Sequence, residues 1–343
     1  MDDRKRIDVH VHFGAPAGPD GGCWWSEKFA EGFAYIAMKA VTGTLFKSVD
    51  YLRIKRHLFK KLHRSKLVDK AVFLALDRVY DGQGNPHLED LTHLYTSNQV
   101  IASLVVEYRE TYGRDRILLG ASVHPFNPRW EEEVDWCLEN GAVLIKWLPS
   151  AQMIDLDHPR LLPFYNKLAA HNLPLLCHAG PEYSIPTSDE SYNKFNNPSH
   201  LRPALERGVT VILAHCSLPL VKEIDGMRAY EEMIELFNKA DLQGWKLYAD
   251  LSALLMITRS FLVKERVVDS LPHKRLLLGS DYPIPISEAA YIEGREFFKK
   301  LKIFWTALKI RNPLDKNAYV LGNMGFDPAV FTSASDLFSC IVR

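Results

Sequence analysis

The chain has 343 residues, 47% of them hydrophobic and 24% charged, which fits a globular protein with a sizeable core and exceeds what a small domain needs. Its 42 Lys and Arg residues balance 42 Asp and Glu, and a formal net charge of zero gives no footprint for nucleic acid or an anionic membrane. The five cysteines (Cys23, Cys137, Cys177, Cys216 and Cys340) are odd in number and scattered, no apolar run approaches a membrane span, and Met1-Asp2-Asp3-Arg4 opens no leader pattern. We therefore expect reduced thiols and a cytoplasmic protein.

In chain order, the first apolar run is Ile7-Asp8-Val9-His10-Val11-His12. Its β-branched residues predict a strand, and residues two apart on a strand share a face, so His10 and His12 project together at its C-terminal end. Gly14, Pro16 and Gly18 stop the strand directly afterwards. The long interval 13–69 exceeds one crossover helix. Its first part, with Trp24 and Trp25, reads as a loop, and its second carries Tyr51, Ile54, Leu58 and Leu62 at helical spacing. Arg53, Lys55, Arg56, Lys60, Lys61 and Arg64 surround that apolar stripe as a solvated face or as a cover that attracts anionic substrate.

Seven further apolar runs follow: 70–77, 117–125, 142–149, 173–180, 209–216, 247–253 and 275–283. Most are near-continuous rather than alternating, as strands of a parallel sheet covered on both faces are. Helical patterns fill the intervals at 129–140, 158–171, 219–239 and 254–270, and a helical stretch at 288–309 follows the last run. Eight βα units predict a (β/α)8 barrel forming one domain over 1–343, with an insertion at 13–69 and a helical extension at 287–343. A doubly wound open sheet is the alternative, weakened because no Gly-x-Gly-x-x-Gly follows the first strand.

A barrel gathers all its strand C-termini at one mouth, where chemistry sits. This chain places His10, His12, Asp77, His124, Lys146, His178, His215 and Asp281 there. Each has an ordinary reading alone, as a satisfied core histidine or a turn-forming aspartate. Independent structural residues need not all fall at one end of consecutive strands, so the set points to function. His10, His12, His178 and Asp281 would form an N3O site suited to zinc with a position left for water, and His215 would stand beside it.

The segments IDVHVHFG, LLCHAG, ILAHCS and LLLGSDYP, in this order, resemble the motifs of the amidohydrolase superfamily. They are most similar to the branch of metal-dependent hydrolases that contains aminocarboxymuconate-semialdehyde decarboxylase. The resemblance spans nearly the whole chain and implies a distorted (β/α)8 TIM barrel. It implies that His10, His12, His178 and Asp281 are metal ligands and that His215 activates or orients the water. It also implies that the insertion caps the site and joins a homodimer interface. Two departures stand out. Family members often carry His-x-Gly-Gly after strand six, where this chain has His215-Cys216-Ser217-Leu218. Lys146, at the end of strand four, matches a lysine that binuclear relatives carboxylate to bridge two metals, whereas the branch resembled here usually holds one.

The expected activity is hydrolysis of a small carboxylate-bearing ester, lactone, amide or C–C substrate by a metal-activated water. Asp281 would move the proton, His215 would hold water or polarise a carbonyl, and Lys146 would face the substrate. Metal-dependent decarboxylation of an unsaturated or aromatic acid is the alternative on the same site, and a non-catalytic metal-binding scaffold is the reading from another class. Arg78, His124, Trp147 and Tyr183, with Asp77 and Glu182, flank strand ends as candidates for binding the substrate, Arg78 because a guanidinium grips carboxylates. The expected cofactor is one Zn2+, and the expected partner a small organic acid, with no nucleic acid or membrane.

Overall fold

A computed structural model describes residues 4–187, 189–287 and 297–339. Eight parallel strands form its centre: β1 (Ile7–His12), β2 (Lys70–Leu74), β3 (Ile117–Ala121), β4 (Ala142–Trp147), β5 (Leu175–Cys177), β6 (Val211–Leu213), β7 (Leu247–Asp250) and β8 (Leu276–Leu277). Neighbours in sequence are neighbours in the sheet. Hydrogen bonds from Val9 N to Leu278 O at 2.9 Å and from His12 N to Tyr282 O at 2.8 Å bring the last strand back to the first. The result is a nearly closed (β/α)8 TIM barrel, and each strand falls inside an apolar run expected from the sequence.

Two apolar layers hold it together. The inner layer joins Val9, Val72, Leu74, Val143, Leu144, Leu176 and Ile212, with Ala334 and Phe338 packed against them. Those two residues belong to a C-terminal helix (Ser333–Phe338), so the extension contributes to the barrel's own core. The larger outer layer packs the other strand faces against the helices. The helix at Trp130–Glu139 matches its expectation closely. Expected helix 158–171 starts with a 3-10 turn before Leu162–Ala170, and the one at 219–239 shifts to Arg228–Gln243. The expected helical stretch 288–309 is helical over Phe297–Lys309; 288–296 and Cys340 lie outside the described residues.

The strand β1 does not alternate regularly. Its pairing with β2 shifts register between Asp8 and Val11, and Val9 packs in the inner layer while Val11 packs in the outer one. Such an irregularity re-aims side chains, and here it lies beside the residues that carry the chemistry.

The segment after β1 carries a short strand (Cys23–Trp25) where the sequence reads as a loop, one helical turn (Glu27–Ala30) and two longer helices, α1 (Phe33–Thr42) and α2 (Tyr51–Arg64). Helix α2 buries Ile54, Leu58, Phe59 and Leu62, as its apolar spacing requires, and Asp50 caps it by accepting from Arg53 N at 2.9 Å. No helix among the described residues is long and apolar enough to cross a membrane.

Candidate active site

A cavity opens at the C-terminal ends of the strands, with His10, His12, Lys146, His178, His215 and Asp281 in its wall. The first two come from β1. His10 Nε2 lies 3.1 Å from His12 Nε2, and Asp281 Oδ1 lies 3.3 Å and 3.1 Å from those two nitrogens. Three ligand atoms therefore meet at one point, all within 4.8 Å of one another.

The ring of His10 is oriented from behind. Its Nδ1 donates to Asp250 Oδ2 at 2.7 Å, and both side chains are fully buried. That bond places the ring proton on Nδ1 and leaves the Nε2 lone pair directed at the cavity. Asp250 Oδ1 accepts from His215 N at 2.9 Å and Ser252 N at 3.1 Å. Burial alone would raise the Asp250 carboxyl, but the adjoining His10 ring and its hydrogen bond, the His215 ring and the Ser252 hydroxyl hold it well below the usual carboxylate range. Asp250, His10 and His215 also cluster closely, yet Asp250 spends its oxygens on His10 and on backbone N–H groups, so it supports the site from outside.

Asp281 stays ionised for a similar reason. Burial opposes its charge, and the His215 and His10 rings and a hydrogen bond with His12 outweigh that, so its pKa falls well below the ordinary range. His215 uses Nδ1 toward Ser252, 2.8 Å from its Oγ and 3.1 Å from its carbonyl oxygen. Donation to the carbonyl fixes the proton on Nδ1 and leaves Nε2 as a proton acceptor. Burial lowers the His215 pKa far enough to keep the ring neutral.

His178 is buried, and neither ring nitrogen has a hydrogen-bond partner among the described residues. Its ring lies 5.1 Å from that of His215, and Nδ1 comes within 3.4 Å of Glu182 Oε2. Burial lowers its pKa to about 4, so it is a neutral imidazole. Buried, unpartnered and neutral, it has the chemistry of a metal donor, although it stands outside the tight group of three. Lys146 is also buried, with Nζ 3.3 Å from His10 Nε2. Burial pushes its pKa down. Together these donors fit a divalent metal, because two imidazole nitrogens and an ionised carboxylate converge at one point, a donor set such an ion takes.

The backbone around the site is strained. Asp281 has φ +59°, and His215, Cys216 and Ser217 have φ +57°, +49° and +48°. This left-handed path is taken by residues with side chains, at a cost of about 1 kcal/mol each. Glycine is needed at 279, where a Cβ would lie 2.9 Å from Ser252 Cβ and 3.3 Å from His10 Cβ.

The structure separates the other candidates. Tyr183 lines the cavity mouth. Trp147 faces the helices, packed at 5.0 Å from Phe164, because Lys146 beside it on the strand turns inward. His124 spends both ring nitrogens on backbone, at 2.8 Å to Gln152 O and 3.1 Å to Phe126 N. Arg78 stacks over Tyr95, 4.3 Å from its centroid, and lines a second, polar cavity with Asp77 and Glu133. None of the cations of α2 lines the first cavity; Ile54 does. Reading the sequence missed Asp250, Ser252 and Arg259. The run LYADLSA carries Asp250 and Ser252 at its end, two apart like His10 and His12, and that was the available signal. Arg259 had none.

Residues 7–303 match the sequence model of the amidohydrolase family. No curated protein matches the chain. Among solved structures, an uncharacterised TIM-barrel protein from Bordetella bronchiseptica is similar at 15% identity, covering 99% of this chain and 100% of its own, with a TM-score of 0.60. A Pseudomonas putida protein provisionally assigned as a 2-pyrone-4,6-dicarboxylic acid hydrolase is similar at 12% identity, over 93% and 97% of the two chains, with a TM-score of 0.50. The 5-carboxyvanillate decarboxylase of Sphingomonas paucimobilis is similar at 10% identity, over 98% and 99%, also with a TM-score of 0.50. At such identities these likenesses concern the fold, whereas the family match runs across most of the sequence: this chain belongs to the amidohydrolase family.

Proposed function

We propose that this protein is a metal-dependent hydrolase of small organic acids, using one divalent ion, zinc by its donor set, held by His10, His12, His178 and Asp281. The observation that carries the reading is the convergence of His10 Nε2, His12 Nε2 and Asp281 Oδ1 at 3.1–3.3 Å in the wall of the cavity. When bound, the ion supplies Lewis acidity and a water that ionises near neutral pH.

The protein's own groups divide the remaining work. Asp250 keeps His10 in the tautomer whose Nε2 lone pair faces the cavity. His215 Nε2 accepts a hydrogen bond from the attacking water and so orients it. Asp281, ionised in the resting state, takes the water's proton on a carboxylate oxygen and returns it to the leaving group. Lys146 faces the substrate carboxylate from β4.

Decarboxylation of an unsaturated or aromatic acid is the second reading. It is supported by aromatic side chains, Trp25 and Phe29, in the same cavity, and a decarboxylase is among the proteins sharing the fold. Turnover of a panel of lactones, esters and aromatic acids in 18O-labelled water distinguishes the two. Label in the product carboxylate supports hydrolysis; loss of CO2 with no label in the organic product supports decarboxylation.

A further inference from the structure

Arg259 is a buried cation that no carboxylate among the described residues pairs. It lies early in the helix Ile257–Val263, just after β7, and only 5% of it is exposed. A guanidinium carries five N–H donors, and taking its charge out of water is unfavourable unless an anion meets it. Among the described residues, its one side-chain hydrogen bond runs from Nε to the Pro219 carbonyl at 3.4 Å, and it pairs with no carboxylate. Asp281 and Glu182 act on it only at longer range and offset part of the burial that pushes its pKa down. Both are already engaged, Asp281 by His10 and His12, and Glu182 Oε1 by the Ser184 and Ile185 N–H groups. Yet Arg259 lines the cavity that holds the histidines. Lys146, the other buried cation there, is bonded to His10.

Beside Thr42, Glu182, Tyr183 and Ser184, most of the remaining wall is apolar. Trp25, Phe29 and Met38 come from the segment after β1, and Leu148, Ile185 and Met256 from loops and helices at the strand ends. Trp25, Phe29 and Tyr35 pack as a cluster of aromatic rings with centroids 5.5–6.2 Å apart. A ligand as short as acetate would leave this surface in water, while each methylene laid against it tightens binding about fourfold.

We propose that Arg259 grips the carboxylate of an organic acid whose bulky apolar body, an aromatic ring or a chain of comparable size, lies against the wall built by Trp25, Phe29 and Met38. This rests on the reading of the cavity as the active site, and it names the acid that site takes. The planar fork of the guanidinium suits a carboxylate held through two oxygens.

The test is calorimetric binding to the metal-loaded enzyme, with 4-phenylbutyrate, the neutral 4-phenylbutanol, and butyrate as probes. The wild type is expected to bind 4-phenylbutyrate at least tenfold more tightly than either of the others. R259Q is expected to lose at least tenfold on the acid and less than twofold on the alcohol, with R259K between. Trp25→Ala is expected to weaken acid and alcohol by similar factors, and it decides the apolar half should R259Q fail to fold. Equal wild-type affinity for acid and alcohol overturns the proposal, as does an R259Q protein that binds the acid normally, which would put the carboxylate on the metal. Because binding is measured, the two readings separate. Arg259-dependent binding without any metal-dependent turnover would remove the hydrolase reading and leave this one, and turnover with unchanged R259Q binding would do the reverse.

Discussion

Asp250 Oδ2 accepts the Nδ1 proton of His10 at 2.7 Å, with both side chains shut off from solvent. The bond fixes which His10 nitrogen can serve a metal. Asp250→Asn tests it with little change of shape. The asparagine oxygen can keep the His215 and Ser252 N–H bonds, which turns its NH2 toward Nδ1. The proton then moves to Nε2 and covers the lone pair. The variant should fold normally and lose metal affinity by about 10–100-fold. Competition against a calibrated chelator reads this directly; unchanged affinity would mean that the tautomer does not matter.

Lys146 donates to the same His10 Nε2 at 3.3 Å. A metal there would take over the lone pair and repel an ammonium, and in the proposed reading Lys146 then faces the substrate. Lys146→Met should keep one equivalent of metal and lose catalysis or substrate affinity by about 100-fold, the scale of a charge-assisted contact removed from the transition state. A fall from two equivalents to one, or rescue by short-chain carboxylic acids, would instead identify a carboxylated lysine bridging two ions.

Ser217 combines φ +48° with a buried hydroxyl that has no hydrogen-bond partner among the described residues. Glycine relieves both. Ser217→Gly should stabilise the protein by about 1 kcal/mol in urea unfolding, since left-handed backbone costs about that much for a residue with a Cβ. A destabilised variant would show that the hydroxyl is held by a contact worth more than the strain.

Asp77, beside Arg78 in the second cavity, has its carboxyl pushed up to about 6 by burial, against hydrogen bonds from the His124 and Arg78 N–H groups. The folded state therefore holds the proton more tightly than the unfolded chain. The group's contribution to stability is greatest below about pH 4 and is lost as pH rises to about 6. Between pH 4.5 and 7, Asp77→Asn should gain about 2 kcal/mol on the wild type. Parallel pH profiles of the two proteins would refute the shift.

The barrel was legible because parallel strands buried on both faces write continuous apolar runs, and the histidines were legible because they end those runs. The face they occupy was less so. Alternation through β1 would set His10 and His12 against Val9 and Val11 alike, whereas the register shift sends Val9 inward and Val11 outward. Alternation on β4 was informative, since Leu144 in the inner layer puts Lys146 inward and Trp147 out among the helices. Arg78 and Arg259 could not be told apart from sequence. Both follow strands closely, and only the path of the chain beyond the strand decides which one reaches the cavity.

Activity should depend on one divalent ion bound by His10, His12, His178 and Asp281. Elemental analysis of the purified wild type beside His12→Ala and His178→Ala, with turnover assayed on the same samples, tests it most directly. About one equivalent of zinc or a similar ion is expected in the wild type, with metal and activity lost together in both variants and wild-type activity lost to chelation and restored by the ion. Full metal occupancy in the variants, or full wild-type activity after exhaustive chelation, would contradict it.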